Sequence, residues 1–254
     1  MTLSGTEVRE AEVRENAVRV VNTEPEHFSA IIELCRITYP DTAPWTPEQL
    51  ASHRSIFPEG QFVALQGPDE RVVGMCASLV VSWEDYKMLD SWERFTADGA
   101  FTNHDPRGRT LYGAEVMVDP RAQHHGVGDK LYAARREVAE RLRLLRIRAG
   151  ARLRDYHRYA ATHQPADYVL QVVEGQLHDP TLSFQLREGF HVVAVVPHYL
   201  SDDPDSMGYA AVIEWLNPML VSPEHVKERP TAFLRRELRA ECGRAHAAGT
   251  KAQG

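Results

Sequence analysis

Cysteine is scarce in this chain of 254 residues: Cys35, Cys76 and Cys242 stand far apart. An odd, scattered set offers neither a disulfide framework nor a zinc-site spacing, and it fits a reducing, cytoplasmic compartment. Long apolar runs are also lacking. The first twenty residues mix acidic and basic side chains with no apolar stretch, so no signal peptide and no membrane-spanning helix is expected. Positive charge is outnumbered: 29 Lys and Arg against 36 Asp and Glu leave a formal net charge of −7, which argues against a general nucleic-acid binder. No Gly-x-Ser-x-Gly elbow of the serine hydrolases is present. Histidine is plentiful at twelve, yet no pair stands at the i, i+4 helical spacing of a zincin, so the histidines read as solvated or hydrogen-bonding and no metal is expected. A hydrophobic fraction of 43% is enough for a full core.

What is there is a glycine loop in a telling place. Gln123-His124-His125-Gly126-Val127-Gly128 follows the strand-like run Leu111–Val118 and the turn Asp119-Pro120. It opens a helix whose apolar face is Leu131, Ala134, Val138, Leu142 and Leu145. Backbone N–H groups at such a helix start lack helical partners and suit a phosphate or pyrophosphate. Two dinucleotide alternatives fail on spacing. A Rossmann loop needs a third glycine where Leu131 stands, and a Walker loop needs Gly-Lys-Ser/Thr where Gly128 is followed by Asp129.

The other elements follow from local chemistry. Ala17–Val21 reads as a strand, Thr23-Glu24-Pro25-Glu26 as the start of a helix with Phe28, Ile31, Ile32 and Cys35 on one face, and Pro40 as its stop. Thr46-Pro47-Glu48-Gln49 opens a second helix. Gln61–Leu65 and Arg71–Ser82 form a hairpin about Gly67-Pro68-Asp69. After the loop and its helix come a strand over Arg146–Ala151, a short helix Pro180–Glu188 ending at Gly189, and strands His191–Val196 and Gly208–Trp215. Two long segments interrupt this series, Glu84–Gly108 and Arg152–Asp179, the latter with a helical stretch Ala166–Glu174. Segments of that length wall a binding site, pack on the sheet edge or make a homodimer contact.

The loop resembles the (Gln/Arg)-x-x-Gly-x-(Gly/Ala) signature of the GNAT superfamily of N-acetyltransferases, and the order of elements over residues 17–217 matches that family. Phe57-Pro58-Glu59-Gly60-Gln61-Phe62, Asn103-His104-Asp105-Pro106, Tyr156-His157-Arg158-Tyr159 and Phe184-Gln185-Leu186-Arg187 are similar to one branch, the acetyltransferase module fused ahead of nitrilase-type carbon–nitrogen hydrolases. The resemblance covers the transferase module alone. It implies an α/β (α+β) fold: a central, mixed but mostly antiparallel sheet of about seven strands flanked by helices, with the two long insertions. A flexible charged leader over 1–16 and, over 218–254, a C-terminal helical extension with a helix Thr231–His246 and a disordered tail complete the expected organisation.

The resemblance also implies a donor and a site. The donor is acetyl-CoA as co-substrate, held at its pyrophosphate by Gln123, His124, His125, Gly126, Val127, Gly128 and Asp129. Its pantetheine arm pairs with the backbone of Glu115, Val116, Met117 and Val118, and the Val116 N–H serves as an oxyanion donor. Glu115 stands out as a charge at the head of an apolar run, and reads either as the base that strips the acceptor's ammonium or as a salt-bridged structural carboxylate. The family's general-acid tyrosine, four residues before a Gly-Phe pair, is Gln185 here. Tyr156, His157, His198 and Tyr199 follow strands where substrate-facing residues occur, and Tyr156, His157 and Tyr199 join Glu115 as catalytic candidates. The expected function is N-acetylation of an amine, on a small molecule or a protein, by direct attack on the thioester, with no nucleic-acid or membrane partner. The alternative is a non-catalytic acyl-CoA sensor.

Overall fold

The structure, a computed structural model, describes residues 16–227 and 229–233. Seven strands stand in the order β1-β2-β3-β4-β5-β7-β6: β1 (Val18–Asn22), β2 (Gln61–Gln66), β3 (Arg71–Val81), β4 (Thr110–Val118), β5 (Arg146–Arg152), β6 (His191–Val196) and β7 (Ala210–Leu216). Seven α-helices accompany them among the described residues: α1 (Phe28–Thr38), α2 (Pro47–Ile56), α3 (Trp92–Thr96), α4 (Val127–Arg141), α5 (Pro165–Val173), α6 (Pro180–Arg187) and α7 (Pro223–Lys227). This is the mixed sheet with flanking helices that the sequence predicts. The described residues form two compact units, one of 16–86 and 92–147, the other of 87–91, 148–227 and 229–233.

In the first unit β1 through β4 run antiparallel to their neighbours. The register of β3 against β4 slips between Ala77 and Ser78: Ala77 faces Glu115 while Ser78 faces Gly113, so Ala114 is the extra residue of a bulge. Thr46 caps α2 as predicted, its hydroxyl accepting from the Gln49 N–H at 3.2 Å while Gln49 Oε1 accepts from the Thr46 N–H at 3.0 Å. The first helix differs from expectation. A 3₁₀ turn over Pro25–His27 precedes α1, and Glu24 rather than Thr23 provides the cap, because His27 Nδ1 accepts from the Glu24 N–H. Helix α4 ends at Arg141, short of the predicted Leu142 and Leu145. Leu142 is 37% exposed and Arg143 adopts a left-handed φ of 54° that turns the chain toward β5.

Residues 84–86 and 92–108 of the first long segment pack within this unit. Phe95 stacks on Tyr112 of β4 at 4.7 Å, and Phe101 stacks on His53 of α2 at 3.7 Å, with Trp45 edge-on to His53 at 4.8 Å. His53 is 2% exposed, and its Nε2–H donates to the Gly99 carbonyl at 2.6 Å. Burial lowers this imidazole from its ordinary 6.5 to about 4. The ring therefore stays neutral in the fold at pH values where it is protonated in the unfolded chain. Its contribution is fully present above pH 6.5 and is lost as pH falls from there toward 4. Urea unfolding at pH 7 and pH 5 is expected to show a fall of about 2 kcal/mol, and His53→Gln should remove that difference. A loss of equal size in the variant would assign it to other groups.

In the second unit β6 and β7 pair antiparallel. Helix α6 ends as predicted at Gly189, whose φ of 85° suits the residue, with the Phe190 N–H donating to the Gln185 carbonyl. Glu214 of β7, 3% exposed, bridges Arg148 of β5 at 2.8 Å and Arg229 at 3.2 Å; both guanidiniums are at most 10% exposed. The predicted helix Thr231–His246 and the leader fall mostly outside the described residues; Thr231–Phe233 forms a 3₁₀ turn.

Candidate active site

The glycine loop is anchored at both ends. Ala122 and Val127 are buried in a cluster with Val18, Ala64, Val73, Cys76 and Leu131, while Gln123, His124 and His125 between them are exposed. Val127 therefore faces the core with its side chain and offers a ligand only its backbone. Gly126 is the N-cap of α4 with φ 72°, and no side chain caps the helix. The first helical bond runs from the Lys130 N–H to the Gly126 carbonyl at 3.1 Å, which leaves the preceding amides without helical partners. A Cβ built on Gly126 would meet nothing nearer than Asp129 Oδ2 at 3.7 Å, so the space above the loop is open to an anion. The donor set fits the pyrophosphate of a coenzyme A.

The turn before the loop brings positive charge that sequence reasoning did not pick out. Asp119 is 2% exposed and accepts from the Arg121 backbone N–H (2.8 Å) and from its guanidinium (3.0 and 2.8 Å), with Arg71 at 3.6 Å. The Arg121 hydrogen bonds outweigh burial and hold the Asp119 carboxyl below the usual carboxylate range. Arg71 and Arg121 remain substantially exposed beside the loop, where an anion is favoured.

The bulge in β4 is gripped from two sides. Trp92 Nε1–H donates to the Ala114 carbonyl at 2.9 Å. From α4, Arg135 donates to Ser78 Oγ (3.1 Å), the Ala77 carbonyl (3.2 Å) and the Glu115 carbonyl (2.5 Å). Arg135 is 2% exposed, a buried cation whose charge is met by carbonyl and hydroxyl oxygens.

Glu115 is half-buried, and its carboxylate has partners that the sequence does not reveal. Oε1 accepts from the Val116 N–H at 2.8 Å and from the Tyr39 hydroxyl at 3.2 Å. The two roles predicted for this stretch thus meet on one hydrogen bond: the expected oxyanion donor is occupied by the expected base. Cys35, one helical turn before Tyr39, is close enough to feel the Glu115 charge. Burial pushes its thiol up to about 11, so it offers no thiolate for a covalent relay.

Tyr156, His157 and Tyr199 belong to the second unit. Tyr156 is 4% exposed, and its hydroxyl donates to the His163 carbonyl at 3.0 Å, the bond of a side chain closing its own turn. His157 Nδ1 lies 2.9 Å from the Asp205 carbonyl. A carbonyl only accepts, so Nδ1 carries the proton and Nε2 is the basic nitrogen of the neutral ring. Asp205 is itself held by Arg152, which also grips Asp203. Burial opposes the Asp203 charge, but the Arg152 and Ser206 hydrogen bonds prevail and keep its carboxyl low. Tyr199 is 3% exposed and lies across Gly150, where a Cβ would fall 2.1 Å from its ring. Gln185 is buried in α6 at 4% exposure.

A bulged strand thus leads into an uncapped helix start, with a carboxylate at the bulge. Residues 28–162 match the acetyltransferase (GNAT) family, and the chain belongs to that family. Two relatives come from Bacillus subtilis strain 168. The "Uncharacterized N-acetyltransferase YkwB" is 36% identical over 179 residues, 70% of this chain and 78% of that protein. The "Probable hydrolase YhcX" is 41% identical over 204 residues, 80% of this chain but 39% of that protein, so the chain spans about two fifths of its length. A solved GphF GNAT-like decarboxylase in complex with isobutyryl-CoA shares the fold at TM-score 0.65 and 21% identity, over 78% of this chain and 99% of its own. Among the described residues no helix is long and apolar enough to cross a membrane.

Proposed function

We propose that the chain is an acetyl-CoA-dependent N-acetyltransferase in which an amine attacks the thioester directly. The observation that carries this reading is one continuous strand–loop–helix that places a half-buried carboxylate at a bulge and ends in an uncapped helix start. The donor supplies an activated acyl group with a good leaving thiolate. The amides at the start of α4 hold its pyrophosphate, and the backbone of residues 115–118 pairs with its pantetheine arm. The Val116 N–H stabilises the oxyanion. Glu115 takes a proton from the acceptor's ammonium, directly or through water. The N–C bond forms, the C–S bond breaks, and the second amine proton passes to the thiolate sulfur. The basic Nε2 of His157 and the hydroxyl of Tyr199 are further candidates on the acceptor side. A non-catalytic acyl-CoA sensor is a second reading, favoured by Gln185, an amide that cannot protonate a thiolate, at the family's tyrosine position.

Incubation with acetyl-CoA and a panel of amines, followed by thiol release, separates the two readings: binding without release supports the sensor. In the same assay Gly126→Asn is expected to weaken acetyl-CoA binding by about 10- to 100-fold. Its thermal midpoint should hardly move, because Asn tolerates a left-handed φ better than most residues with a side chain. Unchanged affinity in the folded variant would place the donor elsewhere.

A further inference from the structure

Glu115 Oε1 sits 2.8 Å from the Val116 nitrogen, the distance an oxyanion donor keeps from the oxygen it stabilises. A single N–H cannot serve two acceptors in line, so an incoming thioester carbonyl must take the place that the carboxylate now fills. The backbone around it is held: Arg135 holds the Glu115 carbonyl, and Trp92 the Ala114 carbonyl. The side chain is therefore the part that moves. It already has a second anchor in the Tyr39 hydroxyl, 3.2 Å from the same oxygen. Tyr39 is itself placed, because its N–H donates to the Cys35 carbonyl at 2.7 Å and closes α1.

We propose that Glu115 is a two-position latch on the Val116 N–H and that Tyr39 is the positioning residue of its second position. This rests on the acyltransfer reading above. Without donor, the carboxylate plugs the oxyanion donor. When the thioester carbonyl displaces it, the carboxylate closes fully onto the Tyr39 O–H, tightening a bond that is long at 3.2 Å while Oε1 is shared, and comes in reach of the acceptor's ammonium. The same displacement that readies the electrophile thus readies the base, and a base freed only by the thioester is matched to a loaded site.

Free coenzyme A has no thioester carbonyl and needs no displacement, which makes it the control. Calorimetry with acetyl-CoA and with coenzyme A on three variants tests the latch. Glu115→Ala is expected to bind acetyl-CoA about fivefold more tightly and coenzyme A as before, since the plug is gone. Tyr39→Phe, which removes a single oxygen, should weaken acetyl-CoA about 10-fold, leave coenzyme A unchanged and lower kcat. In the Glu115→Ala background the Tyr39→Phe change should have no effect on either affinity. If Tyr39→Phe alters both ligands equally, alters neither, or keeps its effect without Glu115, the latch is wrong while the transferase reading stands. If the unaltered chain binds neither ligand, the transferase reading fails and the latch with it.

Discussion

Glu115→Gln is expected to lower kcat by about 10²-fold or more, the usual scale for losing a general base, while acetyl-CoA binding is not weakened. The amide cannot take a proton from the acceptor's ammonium, and most amines are protonated at neutral pH. It still accepts from the Val116 N–H and the Tyr39 hydroxyl, so the local structure at the bulge is retained. On the proposed reading the donor is gripped by backbone along β4 and by the helix start, and the substitution leaves both backbones in place. Steady-state kinetics across pH should show the acid limb of the wild-type profile missing in the variant. Full turnover with the same profile would make Glu115 a structural carboxylate.

The second large effect concerns stability rather than turnover. Glu214→Ala leaves Arg148 and Arg229 buried without their shared carboxylate, and breaking such a set costs about 3–5 kcal/mol. For a chain of this size that is a fall of roughly 10 °C in thermal midpoint. Replacing Arg148 and Glu214 together by apolar residues of similar volume should cost less than Glu214→Ala alone, since fewer buried charges are stranded. Calorimetric melts of both variants decide it. A single variant within about 1 kcal/mol of wild type would show that water reaches the arginines freely.

The features legible in the sequence were those written in short-range chemistry. The Thr46 cap, the Gly189 terminus and the glycine loop each depend on residues within a few positions of one another. The over-extension of α4 arose because Leu142 and Leu145 continue its apolar period, and only the turn at Arg143 shows that the chain has left the helix. Arg135 stands in the apolar stripe of that helix, four after Leu131 and three before Val138. An arginine there was a visible signal, but a charge is ordinarily assigned to solvent. Tyr39 could not be read at all, because its contact with Glu115 joins residues 76 positions apart. The resemblance marks the Val116 N–H as a candidate oxyanion donor, and the charge heading an apolar run marks Glu115 as a candidate base or structural carboxylate. That they share one hydrogen bond is a fact of side-chain geometry, which no pattern of residue types encodes.

Helix α4 has a consequence for how the molecule judges what it holds. Its first residues belong to the glycine loop proposed to hold the pyrophosphate, and nine positions beyond Gly126 its Arg135 grips the bulge. A straight helix rises about 1.5 Å per residue, so the two points are a fixed ~13 Å apart along its axis. The helix acts as a gauge block. A donor seated on the loop presents its acyl carbon to Val116 only if the arm between them has the matching span. Length would be checked before chemistry begins, by a part of the chain that never touches the reacting atoms.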